Sequence, residues 1–190
     1  MITVVSGLPR AGTSLMMQML SAGGLTLLSD GQRAADANNP RGYFEWEPIK
    51  ALPRNPACIA EAEGKVVKVI STLLLSLPAG FSYKVVFMER PLAEVVASQA
   101  AMLQKLGTQG AALPPRALEA ALESHLKQVK AALRQRPEIS VCWLEHHQVL
   151  LDPEAAAATV QKFLGVPLDL AAMSAQVDPA LYRQRLPAKG

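Results

Sequence analysis

Residues 2–20 read Ile2-Thr3-Val4-Val5-Ser6, then Gly7-Leu8-Pro9-Arg10-Ala11-Gly12-Thr13-Ser14, then Leu15-Met16-Met17-Gln18-Met19-Leu20. The first block is a short, β-branched, apolar run, which predicts a buried strand. The last block carries apolar residues at helical spacing, which predicts a helix. Between them stand two glycines five residues apart, followed by two hydroxyl residues. A strand, a glycine loop and a helix N-terminus in that order make a seat for a phosphate. The first N–H groups of the helix have no intrahelical partner, and the helix dipole adds partial positive charge there.

The loop departs from the nucleoside triphosphate pattern at one position. That pattern, Gly-x-x-x-x-Gly-Lys-Ser/Thr, uses the Lys on the outer phosphates and the hydroxyl on magnesium. Here Thr13 stands in place of the Lys, and the cation of the loop is Arg10. A guanidinium fork suits a planar or tetrahedral oxyanion. The loop is expected to bind an anion without metal-assisted ATP chemistry. The plainer alternative is an ordinary strand–turn–helix.

Outward from the loop, the chain alternates strand-like and helix-like blocks. Residues 25–28 read as a short strand or an extended edge, and residues 29–39 as a polar loop. Asn38-Asn39-Pro40-Arg41-Gly42 is turn chemistry. The aromatics Tyr43, Phe44 and Trp46 after it either anchor the loop in the core or wall a cleft. Residues 49–63 read as irregular and then helical, with Pro48, Pro53 and Pro56 restricting the early part. Residues 65–71, 83–88 and 139–144 predict three further strands. A single helical turn is expected at 73–77, and a helix opened by Pro91 should run to about Lys105. Leu118, Leu122, Leu126, Val129 and Leu133 recur at helical spacing over 116–134. Asp152-Pro153-Glu154 supplies a cap, a first-turn proline and a first-turn acid for a helix that ends at Gly165.

This alternation predicts an α/β fold: a single domain over 1–190, three-layered and of P-loop type. Its mainly parallel sheet should have four to five strands flanked by helices. Ligands should sit beyond the carboxyl ends of the strands. The Arg10 loop, Ser71 and Arg90 all fall at such ends.

Composition agrees with a globular protein: 190 residues, half of them apolar and 18% charged. A net charge of +3 suits an anionic ligand and is too small to argue for nucleic acid. The two cysteines, Cys58 and Cys142, make no disulfide framework and no zinc spacing, and Cys142 is expected to be a buried thiol. The first strand begins almost at Met1, and no apolar run reaches membrane-spanning length. A cytoplasmic protein without a membrane span is therefore expected.

The run Gly-x-Pro-Arg-Ala-Gly-Thr-Ser-Leu resembles the 5′-phosphosulfate loop of the sulfotransferases that use 3′-phosphoadenosine 5′-phosphosulfate (PAPS). Bacterial and Golgi members carry Arg-Ser-Gly-Thr-Ser/Thr, and Ala11 replaces the Ser here. Met88-Glu89-Arg90-Pro91, with Ser98 eight residues after the Arg, resembles the family's 3′-phosphate motif, although Pro91 follows Arg90 directly. Outside the family, the pair reads as a helix-cap arginine and an incidental serine. Residues 144–153 and 163–167 are similar to a structural segment of the family, which makes His146 and His147 packing residues. His125 reads as solvated or helix-packing. The Asn-Pro-Arg-Gly-Tyr-Phe-Glu run at 39–45 is similar to a segment of bacterial members.

The resemblance implies sulfuryl transfer from PAPS to a hydroxyl or amine, with PAPS and its product PAP as co-substrate and no metal. It implies that Arg10 neutralises charge on the bridging oxygen as the donor breaks and, with Ala11, Gly12, Thr13 and Ser14, holds the 5′-phosphate, that Arg90 and Ser98 hold the 3′-phosphate, and that Arg183 and Arg185 in the tail help to close the site. Lys68 is similar to a family lysine near the sulfuryl group; otherwise it is an exposed charge at a strand end. The histidine that cytosolic members carry two residues later is Ile70 here. Glu45 is then the candidate base, against the alternative that it pairs with Arg41 or faces solvent. The short chain leaves little to wall an acceptor pocket, so an open site, or one completed in a homodimer, is expected. Two other readings stand beside this one: a P-loop nucleotide-binding protein of small-molecule kinase type, and a non-catalytic sulfotransferase-like binding module.

Overall fold

The three most apolar strands lie at the centre of the sheet because both of their faces are covered. In the computed structural model, which describes residues 1–32, 35–36, 39, 41–105, 107 and 113–182, β1 (Ile2–Gly7) is buried along its whole length. It is flanked by β3 (Val66–Lys68) and β4 (Tyr83–Glu89). β2 (Leu27–Leu28) and β5 (Ile139–Glu145) form the edges, giving the order β2-β3-β1-β4-β5 with every pairing parallel. Parallel strands covered on both sides read as continuous apolar runs, as β1 does. The edges are blunted: β2 has two residues, and β5 alternates in burial.

Alternation along the strands sorts the core into two clusters. Ile2, Val4, Val85 and Phe87 pack with Trp46, Ile49, Leu74 and Val129 on one face. Val5, Val86 and Met88 pack with Met16, Leu20, Val95, Val160 and Met173 on the other. The first layer contains two 3-10 helices (Glu47–Ala51 and Pro56–Ala62), α2 (Ser71–Leu74) and α4 (Pro115–Leu133). The second contains α1 (Thr13–Ala22), α3 (Leu92–Lys105), α5 (His146–Leu151), α6 (Pro153–Leu164) and α7 (Leu170–Ser174). This is the three-layer arrangement expected from the sequence. No helix among the described residues is long and apolar enough to cross a membrane.

Several local expectations change. The second long strand stops at Lys68, and the helical turn expected at 73–77 begins earlier, at Ser71. The prolines turn the 49–63 region into 3-10 rather than α-helix. Pro91 precedes α3, and its carbonyl accepts the N–H groups of Glu94 and Val95. Cys142 lies on the edge strand and is only half-buried, though burial still pushes its thiol pKa up. Asp152 caps α6 as read, accepting the Ala155 N–H at 2.9 Å.

Candidate functional site

The loop 7–14 links the carboxyl end of β1 to α1, and two of its glycines are required by close approach. Gly7 has φ +146°, and a Cβ there would lie 2.6 Å from the Met88 carbonyl of β4. Gly12 has φ +98°, and a Cβ there would lie 2.4 Å from His146 Cδ2. Arg10 is also left-handed, at φ +72°, a region sparsely used by residues with a Cβ. That strain has a visible counterpart: Arg10 Nε donates to Ser98 Oγ of α3 at 3.1 Å.

Arg90 enters from the end of β4. Its Nη1 donates to the Arg10 carbonyl at 3.1 Å, and its Nε pairs with Glu94 at 2.8 Å, both side chains being nearly buried. The spacing of four residues puts Glu94 on the same helical face as the strand end. The Tyr182 hydroxyl donates to Glu94 at 2.6 Å, and the Tyr182 ring lies against the Arg90 guanidinium, 5.1 Å from its centre. A carboxylate at Nε and a ring on its face fix the plane of the guanidinium fork.

Lys68, at the end of β3, is buried rather than exposed as the plainer reading had it. Its Nζ donates to Ser14 Oγ at 3.0 Å and to the Tyr43 carbonyl. Asn39 Nδ2 donates to the same Ser14 oxygen at 2.9 Å. A serine hydroxyl has two acceptor lone pairs and one proton. Two donors occupy the lone pairs, so the Ser14 proton is the part left to donate to an anion at the helix N-terminus. Ala11 departs from expectation: its N–H closes a turn on the Leu8 carbonyl at 3.1 Å. The amides that follow stand at the start of α1, where the first N–H groups of a helix have no intrahelical partner.

His146 is a packing residue as expected, and the structure adds that it lines the cavity. It opens α5 directly after β5, is buried, and packs edge-on to Tyr182 with ring centroids 5.3 Å apart. Burial first, and the Arg90 charge second, push its pKa down to about 4, so it is neutral near pH 7. Its Nδ1 has no partner among the described residues. The rule that ligands gather beyond strand ends was signal enough to find it. Glu94 was legible as the fourth residue after Arg90. Asn39 was legible only as part of a turn, and Tyr182, distant in sequence from the rest, had no local signal.

His146, Asn39 and Tyr182 line one cavity of about 460 Å³. Arg10, Thr13, Ser14, Lys68, Arg90 and Ser98 meet there, and half-buried Glu45 lines it too. Arg41 pairs instead with Asp178, at 3.7 Å. The aromatics after the turn divide between the two roles foreseen: Trp46 belongs to the core cluster, and Tyr43 and Trp46 both line the cavity. Trp46, Ile49 and Leu73 give the cavity an apolar wall that the shortness of the chain did not lead us to expect. His125 hydrogen-bonds Ser71 at 3.0 Å and lies outside the cavity lining. His147 is exposed, and Arg183 and Arg185 lie outside the described residues.

No protein-family model matches the chain, and no curated protein matches it. Solved structures do. The sulfotransferase domain from the curacin biosynthetic pathway is 15% identical over 99% of this chain and 92% of that one, with a TM-score of 0.56. The sulfotransferase domain from the Synechococcus PCC 7002 olefin synthase is 15% identical over 100% of this chain and 89% of that one, with a TM-score of 0.57. A sugar kinase from Janibacter sp. HTCC2649 is 19% identical over 94% of this chain and 96% of that one, with a TM-score of 0.46. At such identities the likeness bears on architecture alone, and in architecture this chain has the sulfotransferase-like P-loop fold.

Proposed function

We propose that this chain transfers a sulfuryl group from PAPS to a hydroxyl or amine acceptor. The observation that carries the reading is the convergence of three cations, Arg10, Lys68 and Arg90, on one helix N-terminus, with the hydroxyls of Ser14 and Ser98 beside them. A donor with phosphates at both its 5′ and 3′ positions needs two anion seats in one cleft. The loop with Ser14 suits the first, and Arg90 with Ser98 suits the second.

In this reading the donor's S–O bond to the 5′-phosphate breaks and a new bond forms from sulfur to the acceptor, S–O for a hydroxyl or S–N for an amine. The acceptor proton passes to Glu45, and PAP leaves with both phosphates. Arg10 and Lys68 stabilise the charge that grows on the departing phosphate oxygen. Most of the acceleration comes from positioning and fixed charge, as in phosphoryl transfer. The neutral His146 closes the floor of the loop without adding a cation.

The test is calorimetric binding of PAP, with ATP–magnesium as control, to the wild type and to Arg90→Ala. The expected result is PAP binding that weakens by about 1.5–3 kcal/mol on loss of a charged contact. Preference for ATP–magnesium, or binding of neither ligand, overturns the proposal. A Glu45→Gln variant that binds PAP normally and loses turnover separates the enzyme from a non-catalytic binding module.

A further inference from the structure

Resting on the sulfotransferase reading, we infer that the acceptor is an elongated apolar alcohol carrying a negatively charged group at the end remote from its hydroxyl. The shape and charge of the cavity carry the inference. Along α3, Ser98, Ala101, Met102 and Lys105 all line it. Their spacing of three, four and seven residues makes one face of the helix. That face begins at the hydroxyl bonded to Arg10, passes two apolar side chains, and ends about 10 Å further along at an exposed ammonium.

Another part of the lining has the same two chemistries. Trp46, Ile49 and Leu73 belong to one packed cluster, and exposed Lys50 follows Ile49. Along α3 the lining is thus polar and cationic at the loop, apolar in its middle and cationic again at exposed Lys105. Among the described residues, five cationic side chains line the cavity, against the carboxylates of Glu45 and Asp178. Arg10, Lys68 and Arg90 face the donor's anions in the proposed reaction, which leaves exposed Lys105 for another negative charge. Lys50 bridges Glu47 at 2.6 Å, which offsets part of its charge. Lys105 has no ion pair with any described residue, so it leads the recognition. A neutral alcohol fills the apolar middle equally well and gains nothing at Lys105. An acceptor ending in a carboxylate gains there and is held with its hydroxyl toward Glu45 and the loop.

The probes are ω-hydroxyoctanoate and octanediol, which share chain length and hydroxyl and differ in the charged end. Binding is followed by the fluorescence of Trp46 in a Trp143→Phe background, and PAP binding is measured separately by calorimetry. The expected result is a dissociation constant about five-fold lower for the hydroxy acid, the scale of one exposed ion pair. The preference should vanish in Lys105→Ala and reverse in Lys105→Glu, with PAP affinity unchanged. Equal affinity for both probes, or a preference that survives Lys105→Ala, overturns the inference and leaves the donor reading standing if PAP still binds. Failure of PAP to bind overturns the donor reading, and this inference with it.

Discussion

Replacing Gly12 by alanine tests the geometry of the loop directly. The new Cβ would lie 2.4 Å from His146 Cδ2 and 3.3 Å from Cγ and Nε2 of the same ring. Carbon atoms in contact sit about 3.5 Å apart or more, so the ring must retreat by about 1 Å. It has little room to do so, because it is buried and packs edge-on to Tyr182. Overpacking of this kind costs about 1–3 kcal/mol. A non-glycine residue held at φ +98° adds about 1–3 kcal/mol more. The expected loss is therefore about 2–6 kcal/mol, read as a lower urea midpoint at unchanged slope. The displaced ring presses on Tyr182, which bonds Glu94 and stacks on Arg90, so PAP affinity should fall as well. The double variant Gly12→Ala/His146→Ala separates the two costs. It should recover the overpacking part, appearing as a coupling of about 1–3 kcal/mol in the double-mutant cycle, and leave the backbone part. A Gly12→Ala protein as stable as the wild type, or a cycle without coupling, would refute the contact between loop and histidine.

Three further outcomes follow from the same geometry. His146 has its folded pKa pushed down to about 4 from 6.5, so the unfolded chain binds more protons between those values. Its contribution is complete above about pH 6.5 and is lost as pH falls toward 4, by up to about 3 kcal/mol; urea melts against pH should lose this slope in His146→Asn. Lys68→Met retains the buried stem but removes the donor to Ser14, so the rate of PAP release from PAPS with acceptor should fall about 100-fold or more, with a smaller change in PAP affinity. Asp152→Ala removes the acceptor of the Ala155 N–H and should cost about 1 kcal/mol of stability without altering PAP binding.

The architecture was legible locally because it rests on periodicity. Apolar β-branched runs marked β1, β3, β4 and β5. The cap at Asp152 and the glycine loop marked helix starts. Boundaries shifted where backbone chemistry overrode pattern: prolines made 3-10 helices of residues near 50–60, and Ser71 begins a helix where an apolar run suggested a longer strand.

By itself the sequence determined the parallel α/β order, the strand–glycine loop–helix unit and the eight-residue spacing from Arg90 to Ser98, because each depends on neighbours in the chain. The tertiary structure alone decided which side chains share a cavity. Tyr182 meets Glu94 across 88 residues, Lys68 meets Ser14 across 54, and His146 closes under Gly12. It also set aside the alternative that Lys68 is an exposed strand-end charge, since Lys68 is a buried donor, and it placed the Ala11 N–H in a turn. Contacts of that kind follow from the order in which strands enter the sheet, and strand order is set by packing against both layers at once rather than by local spacing.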